Sequence, residues 1–163
     1  MAEELILTID FGTQSVRAIV FDPSGTLVAK SQVALDDYTS PQPGWMEHEV
    51  EALWQALCRA CQQLWAQNSF DPALVRGLVI TSQRATVVNL DKAGQPLRPA
   101  IIWADQRRAR APGKQPAPVK LAFRALGLVE TIQAFEEQAE SNWIAQNQPD
   151  VWAATDKFLL LSG

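Results

Sequence analysis

The residues with the clearest chemical potential lie between positions 6 and 21. There Asp10, Gly12, Thr13, Gln14 and Ser15 fill a short polar turn between two apolar runs. Gly12 lets the backbone approach a ligand closely. Thr13, Gln14 and Ser15 add hydroxyl, amide and main-chain donors. Asp10, a carboxylate at a strand end beside those donors, is placed to hold a cation, usually through its water shell. Donors for phosphate together with an acid for Mg²⁺ are the minimum equipment of a nucleotide-handling site. The same residues also suit an ordinary polar hairpin, and the turn by itself leaves both readings open.

The elements that must position this turn follow from pattern. Apolar, β-branched runs predict strands at 5–9 and 17–21, with Asp22-Pro-Ser-Gly25 turning into a third strand at 26–33. A loop closed by Pro41, Pro43 and Gly44 leads to an amphipathic helix over 47–67, with Glu47, Glu49 and Glu51 near its N-terminus to complement the helix dipole. Strands are predicted at 77–81, 86–90 and around 99–103, with Gln83-Arg84 at a strand end, where α/β folds commonly place ligands. Residues 111–118, rich in Pro, read as a loop, and helices are expected at about 119–126, 130–146 and 150–161. The pattern alone indicates an α/β chain.

Composition excludes several classes. At 163 residues the chain is long enough for one domain with a real core, and no run approaches a membrane span. A net charge of −4 gives no general attraction to nucleic acid or to acidic membranes. The N-terminus Met1-Ala-Glu-Glu4 lacks the basic and apolar regions of a secretory signal, so a cytoplasmic location is expected. Arg107, Arg108, Arg110 and Lys114 form a short, Pro-interrupted basic cluster that reads as a solvated loop. Cys58 and Cys61 fall at helical spacing within the stripe Val50, Leu53, Trp54, Leu57, Cys58, Cys61, Leu64, Trp65, which assigns them to packing. With only His48 in addition and no third Cys, a zinc site is not expected. Trp45, Trp54, Trp65 and Trp152 are likewise assigned to packing, and His48 to the start of the helix.

Four blocks together resemble one family. Asp10-Phe-Gly-Thr-Gln-Ser-Val-Arg17 resembles the first phosphate motif of the sugar-kinase, Hsp70 and actin superfamily. Pro43-Gly-Trp-Met-Glu-His-Glu49, Ile80-Thr-Ser-Gln-Arg84 and Ala100-Ile-Ile-Trp-Ala-Asp-Gln-Arg107 resemble segments of the FGGY carbohydrate kinases, in style closest to glycerol kinases and xylulokinases. The resemblance covers 5–110 well, weakens over 111–140 and returns at 143–163. It implies a partial ribonuclease H-like α/β domain with a mixed sheet and flanking helices. Kinases of this family are far longer and have two domains. The resemblance therefore makes 1–163 the N-terminal part of the first domain: a strand-rich core with one long helix over 1–110, a loop at 111–118 and a mostly helical 119–163. The second domain and the catalytic Asp are expected beyond Gly163, so the chain alone is expected to be inactive.

The resemblance also implies roles. Asp10 would be the acid linked to Mg²⁺, Gly12, Thr13 and Gln14 the turn facing the ATP phosphates, and Arg17 a further phosphate contact. Gln83, Arg84, Trp103 and Asp105 would face a sugar or polyol, with Trp103 against its carbon chain and Asp105 and Arg107 orienting either the site or the substrate. For Trp103, Asp105 and Arg107 a packed strand end with a local ion pair stands as an equal alternative. Two departures bear on substrate: Ala85 stands where glycerol kinases carry Glu, and Phe135 falls where they carry a Tyr that contacts the polyol. Loss of a carboxylate from a buried hydroxyl site changes selectivity strongly, so glycerol is a doubtful substrate. Other classes remain: a non-catalytic α/β binding module that keeps the phosphate turn, or an Hsp70- or actin-like ATPase, against which the blocks at 43–49 and 103–107 argue. A homo-oligomer is possible.

Overall fold

The computed structural model describes residues 4–110 and 116–163. Residues 111–115 of the expected loop, Lys114 among them, and Met1–Glu3 lie outside the described residues; Ala117 and Pro118 already belong to a helix.

Among the described residues two four-stranded sheets carry the fold. In the first, β1 (Leu5–Phe11) pairs antiparallel with β2 (Ser15–Phe21) and parallel with β5 (Val75–Ser82), and β3 (Leu27–Ala34) flanks β2, giving the order β3-β2-β1-β5. Helix α1 (Val50–Ala66) lies across β2 and β3. It buries Leu53, Ala56, Ala60 and Leu64, a stripe at spacings of three and four, against Val16, Ala18, Val20 and Ala29. The two alanines let the helix backbone come close enough for Ser31 Oγ to donate to Ala60 O. Each fully buried Leu of this stripe contributes about 1.5–3 kcal/mol. A larger side chain at Ala60, which has no exposed surface, would cost about 1–3 kcal/mol by overpacking.

The second sheet has the order β4-β7-β6-β8, formed by β4 (Glu47–His48), β7 (Ala100–Ile101), β6 (Val87–Leu90) and β8 (Lys157–Leu160), all antiparallel. Val87, Ile101, Ala109, Trp143 and Ile144 make a second core on it. Helices α2 (Ala117–Ala125), α3 (Val129–Gln138), α4 (Glu140–Asn147) and α5 (Pro149–Ala154) complete the chain.

Four expectations are corrected. The last helix ends at Ala154, because Thr155 takes an extended conformation, its hydroxyl bound to Val151 O and to the fully buried Asn89 amide. Residues 157–160 then pair with β6, so long-range pairing overrides a Leu-rich, helix-compatible segment. The expected helix at 130–146 breaks at extended Ala139, which turns Trp143 and Ile144 into the second core. The first helix begins at Val50, so Glu47 and His48 are buried strand residues; only Glu49 and Glu51 stand at its start. Finally, Arg107 is buried, while Arg108 and Arg110 are exposed as a solvated loop would have them.

The cysteines are free and half-buried, and Cys61 packs against the main core. Burial pushes the Cys61 thiol above its ordinary range, with Cys58 nearby adding to the effect. Trp65 packs on Phe70 and Trp152 on Phe158, whereas Trp54 is 56% exposed on α1.

Candidate functional site

The parallel pairing of β1 and β5 sets two of the motifs side by side. Asp10 pairs with Thr81 and Phe11 with Ser82, and Gln83 N donates to Phe11 O at 3.1 Å. Across the antiparallel neighbour, Asp10 also faces Arg17. Asp10 is therefore held from both sides, Oδ1 accepting from Thr81 Oγ1 at 2.9 Å and Oδ2 from Arg17 Nη1 at 2.8 Å. The carboxylate and the guanidinium each remain more than a third exposed, so both stay available to a ligand. Sequence reasoning missed Thr81 as the partner of Asp10. Its signal was its place in the Ile80–Arg84 block, read there only for Gln83 and Arg84.

The turn beyond Asp10 is closed by Gly12 N donating to Ser15 O at 3.0 Å, and a Cβ at Gly12 would meet that same oxygen at 3.2 Å. Thr13 and Gln14 form the exposed tip, anchored where Leu35 N donates to Gln14 O.

The second group reaches the same end of the fold by topology. Val87 of β6 lies opposite Ile101 of antiparallel β7, so the residues before Val87 and those after Ile101 leave the sheet at one end. The first set is Gln83, Arg84, Ala85 and Thr86; the second is Ile102, Trp103, Ala104 and Asp105. Trp103 is 54% exposed and Arg84 is exposed. Gln83 Oε1 is buried and has no hydrogen-bond partner among the described residues, an acceptor left over beside the exposed side chains. Ala85 has φ of 54°, a left-handed conformation that costs a non-glycine residue about 1–2 kcal/mol. Phe135, on α3, is exposed.

Asp105 is placed differently. Its carboxylate is 4% exposed, and both oxygens are taken by Arg107, with Oδ2 also accepting from Met46 N at 2.7 Å. Glu47, Arg98 and Arg107 join it in a buried cluster of two acids and two guanidiniums. Arg98 Nη2 donates to Glu47 Oε1, while Arg107 Nη1 stands 3.0 Å from the same oxygen as an ion pair without hydrogen-bond alignment. Burial pushes the Arg98 guanidinium below its ordinary value, and Glu47 opposes that shift. Arg107 packs against two indoles that meet edge-to-face, 4.1 Å from the ring centre of Trp45 and 4.6 Å from that of Trp143.

Fit to a cation can be judged from the donors. Among the described residues no three His, Cys, Asp or Glu side chains come together to hold a metal ion. A single part-exposed carboxylate suits Mg²⁺, which is bound through one or two carboxylates, phosphates and water rather than by an all-protein cage. Among the described residues no helix is long and apolar enough to cross a membrane.

Comparison with known proteins agrees with this geometry. Residues 5–163 match the N-terminal domain of the FGGY family of carbohydrate kinases. A glycerol kinase from Lactiplantibacillus plantarum is 41% identical over 166 residues, covering 100% of this chain and 32% of its own length. One from Delftia acidovorans is 33% identical, covering 97% of this chain and 32% of its own. The chain thus spans about a third of the length of the curated relatives it matches. Among solved structures, a xyloylose kinase from Brucella ovis superposes with a TM-score of 0.78 at 28% identity, over 97% of this chain and 32% of that one. A glycerol kinase from Plasmodium falciparum, solved with ADP, gives a TM-score of 0.72 over 98% of this chain and 33% of that one, and at 21% identity supports the fold alone. The mixed α/β fold is therefore that of the sugar-kinase, actin and Hsp70 superfamily, ribonuclease H-like as expected. The chain belongs to the FGGY family of carbohydrate kinases, and it matches that family's N-terminal domain.

Proposed function

We propose that this chain supplies the phosphate-facing and acceptor-facing parts of an ATP-dependent kinase that phosphorylates a hydroxyl of a sugar or polyol. The observation that carries the proposal is the convergence at one end of the fold of Asp10, Arg17 and the Gly12 turn with Gln83, Arg84 and Trp103. Phosphoryl transfer asks a protein mainly to position reactants and to neutralise developing charge. Gly12, Thr13 and Gln14 would face the phosphates, and Arg17 would exchange part of its pairing with Asp10 for a phosphate oxygen. Asp10 would hold Mg²⁺, which when bound offsets charge on the phosphates. Gln83 would turn its side-chain amide to an acceptor hydroxyl, Arg84 would donate to one, and Trp103 would offer its face to the C–H side of the carbon chain.

The residue that would take the hydroxyl proton, and the second wall of the cleft, are assigned to sequence beyond Gly163, so the 163-residue chain should bind without turning over. Ala85 offers no acceptor beside Arg84, so glycerol is expected to be a poor substrate next to a ketose or a longer polyol. The test is an acceptor panel with ADP release as readout, run on the complete kinase carrying this chain and on its Arg17→Ala and Arg84→Ala variants. Arg17→Ala should raise the KM for ATP by roughly 10- to 100-fold, as loss of a charge-assisted contact would. Arg84→Ala should raise the KM for the acceptor. Unchanged ATP and acceptor constants in the two variants would refute the proposal.

A further inference from the structure

Trp103 presents an exposed indole from an irregular turn, and such a side chain is useful to a ligand only if its backbone is fixed. The turn is tied down from two sides. Ile102 N donates to Met46 O at 3.1 Å and Gln106 N to Gly44 O at 2.8 Å, while Asp105 N closes the turn onto Ile102 O at 2.9 Å. Between these bonds Asp105 Oδ2 takes Met46 N at 2.7 Å. Asp105 is itself held by Arg107, whose Nε and Nη2 reach its two oxygens at 2.7 and 2.6 Å and whose backbone N reaches Oδ1 at 2.9 Å. Arg107 is held in place, since Trp45 and Trp143, packed edge-to-face on each other, both lie against its guanidinium and Glu47 sits at its far nitrogen.

Two facts separate this pair from the acceptor. The side chains are 4% and 2% exposed, and the carboxylate oxygens of Asp105 are already filled. We infer that Asp105 and Arg107 are positioning residues, which touch neither acceptor nor nucleotide and act by clamping the turn that carries Trp103 onto the segment 44–46. The inference rests on Trp103 facing the acceptor. Arg107 is suited to the role because its planar fork fixes a carboxylate in one geometry and packs on aromatic rings, which the point charge of Lys does not do.

The test has a spectroscopic and a kinetic arm. In the ¹⁵N-labelled 163-residue chain the Trp103 indole resonance is assigned with Trp103→Phe, then followed in Arg107→Lys and in Asp105→Asn. The expected result is a shifted or broadened Trp103 signal with the Trp54 and Trp65 signals on α1 unmoved. In the complete kinase, Arg107→Lys should raise the KM for the acceptor roughly 10- to 100-fold, the scale of a misplaced contact, with the KM for ATP unchanged. That rise should vanish in a Trp103→Ala background. A rise that persists there would make Arg107 a direct contact and overturn the inference, as would an unmoved Trp103 signal in both variants. Loss of all dispersed indole signals in both variants would also count against it, as general destabilisation. If Trp103→Ala alone leaves the acceptor KM unchanged, the assignment of Trp103 to the acceptor fails, and the inference built on it fails with it.

Discussion

Glu47 is the residue for which two physical accounts give separable numbers. Placed at a helix N-terminus, as its spacing from the amphipathic stripe predicts, it would contribute about 0.3–1 kcal/mol, screened by salt. Placed in β4, it is 8% exposed and neutralises two guanidiniums, one of whose side chains is 5% exposed and the other 2%. Glu47→Gln would leave Arg98 and Arg107 sharing the single carboxylate of Asp105, a net positive charge confined in a buried cluster. Breaking a buried pair by removing one partner costs about 3–5 kcal/mol, a large share of the roughly 5–15 kcal/mol that holds a domain folded. The expected result is a loss of about 3–5 kcal/mol in urea unfolding, or a melting temperature lowered by roughly 6–20 °C, nearly the same at low and at high salt. Glu51→Gln, exposed on the first turn of α1, is the control and should stay within about 0.5 kcal/mol. A Glu47→Gln loss below about 1 kcal/mol that disappears in salt would refute the buried cluster and restore the dipole account.

Three further outcomes are expected. Ala85→Gly should stabilise the chain by about 0.5–1 kcal/mol in urea unfolding, because glycine relieves the left-handed strain at φ 54° and gives back only part of it as chain entropy; a loss of stability would show that the backbone there carries no strain. The raised thiol of Cys61 means that the folded chain keeps its proton at pH values where the unfolded thiol, near 9.0, has begun to lose it. Its contribution is complete below pH 9 and is lost as pH rises through the folded value, so stability should fall more steeply above pH 9 in the parent than in Cys61→Ala; identical alkaline curves would contradict this. Among the described residues β5 is an edge strand with Leu78, Val79 and Ile80 all about half exposed, a template for pairing with another chain. Light scattering on the isolated chain should show concentration-dependent association that Val79→Lys suppresses, and a strictly monodisperse monomer at high concentration would exclude it.

The parts of the fold that could be read from the sequence are those whose causes are local. Asp10 and Arg17 lie seven residues apart on one hairpin, so the residues that chemistry singles out are also the ones that register brings face to face. The helix stripe ending in Leu64 and the strand before Gln83 were legible for the same reason, since periodicity is written within a few turns of chain. The short strand β8 was not legible. Its pairing partner Asn89 and the stop at Thr155 are 66 residues apart, and the segment alone has the composition of a helix.

The buried cluster shows why the rest was out of reach, and what chooses its members. Three arginines stand within four positions, at 107, 108 and 110, and composition treats them alike. Only Arg107 is turned inward. Its backbone N donates to the Asp105 carboxylate two residues earlier, which starts its side chain back along the turn toward that carboxylate, and its guanidinium then meets Trp45 and Trp143. Neither ring is near it in sequence: one arrives beside β4 and the other on α4, through the break at Ala139. Desolvating a guanidinium without such partners would cost several kcal/mol, so a lone basic run is correctly expected to stay in water. Burial becomes favourable only when two acids and two indoles from separate segments converge, and that convergence is a property of the assembled chain. The same convergence fixes the turn carrying Trp103: the local Asp105–Arg107 pair could be read as one alternative from its two-residue spacing, whereas Glu47, Arg98, Trp45 and Trp143, which reach it from other segments, could not.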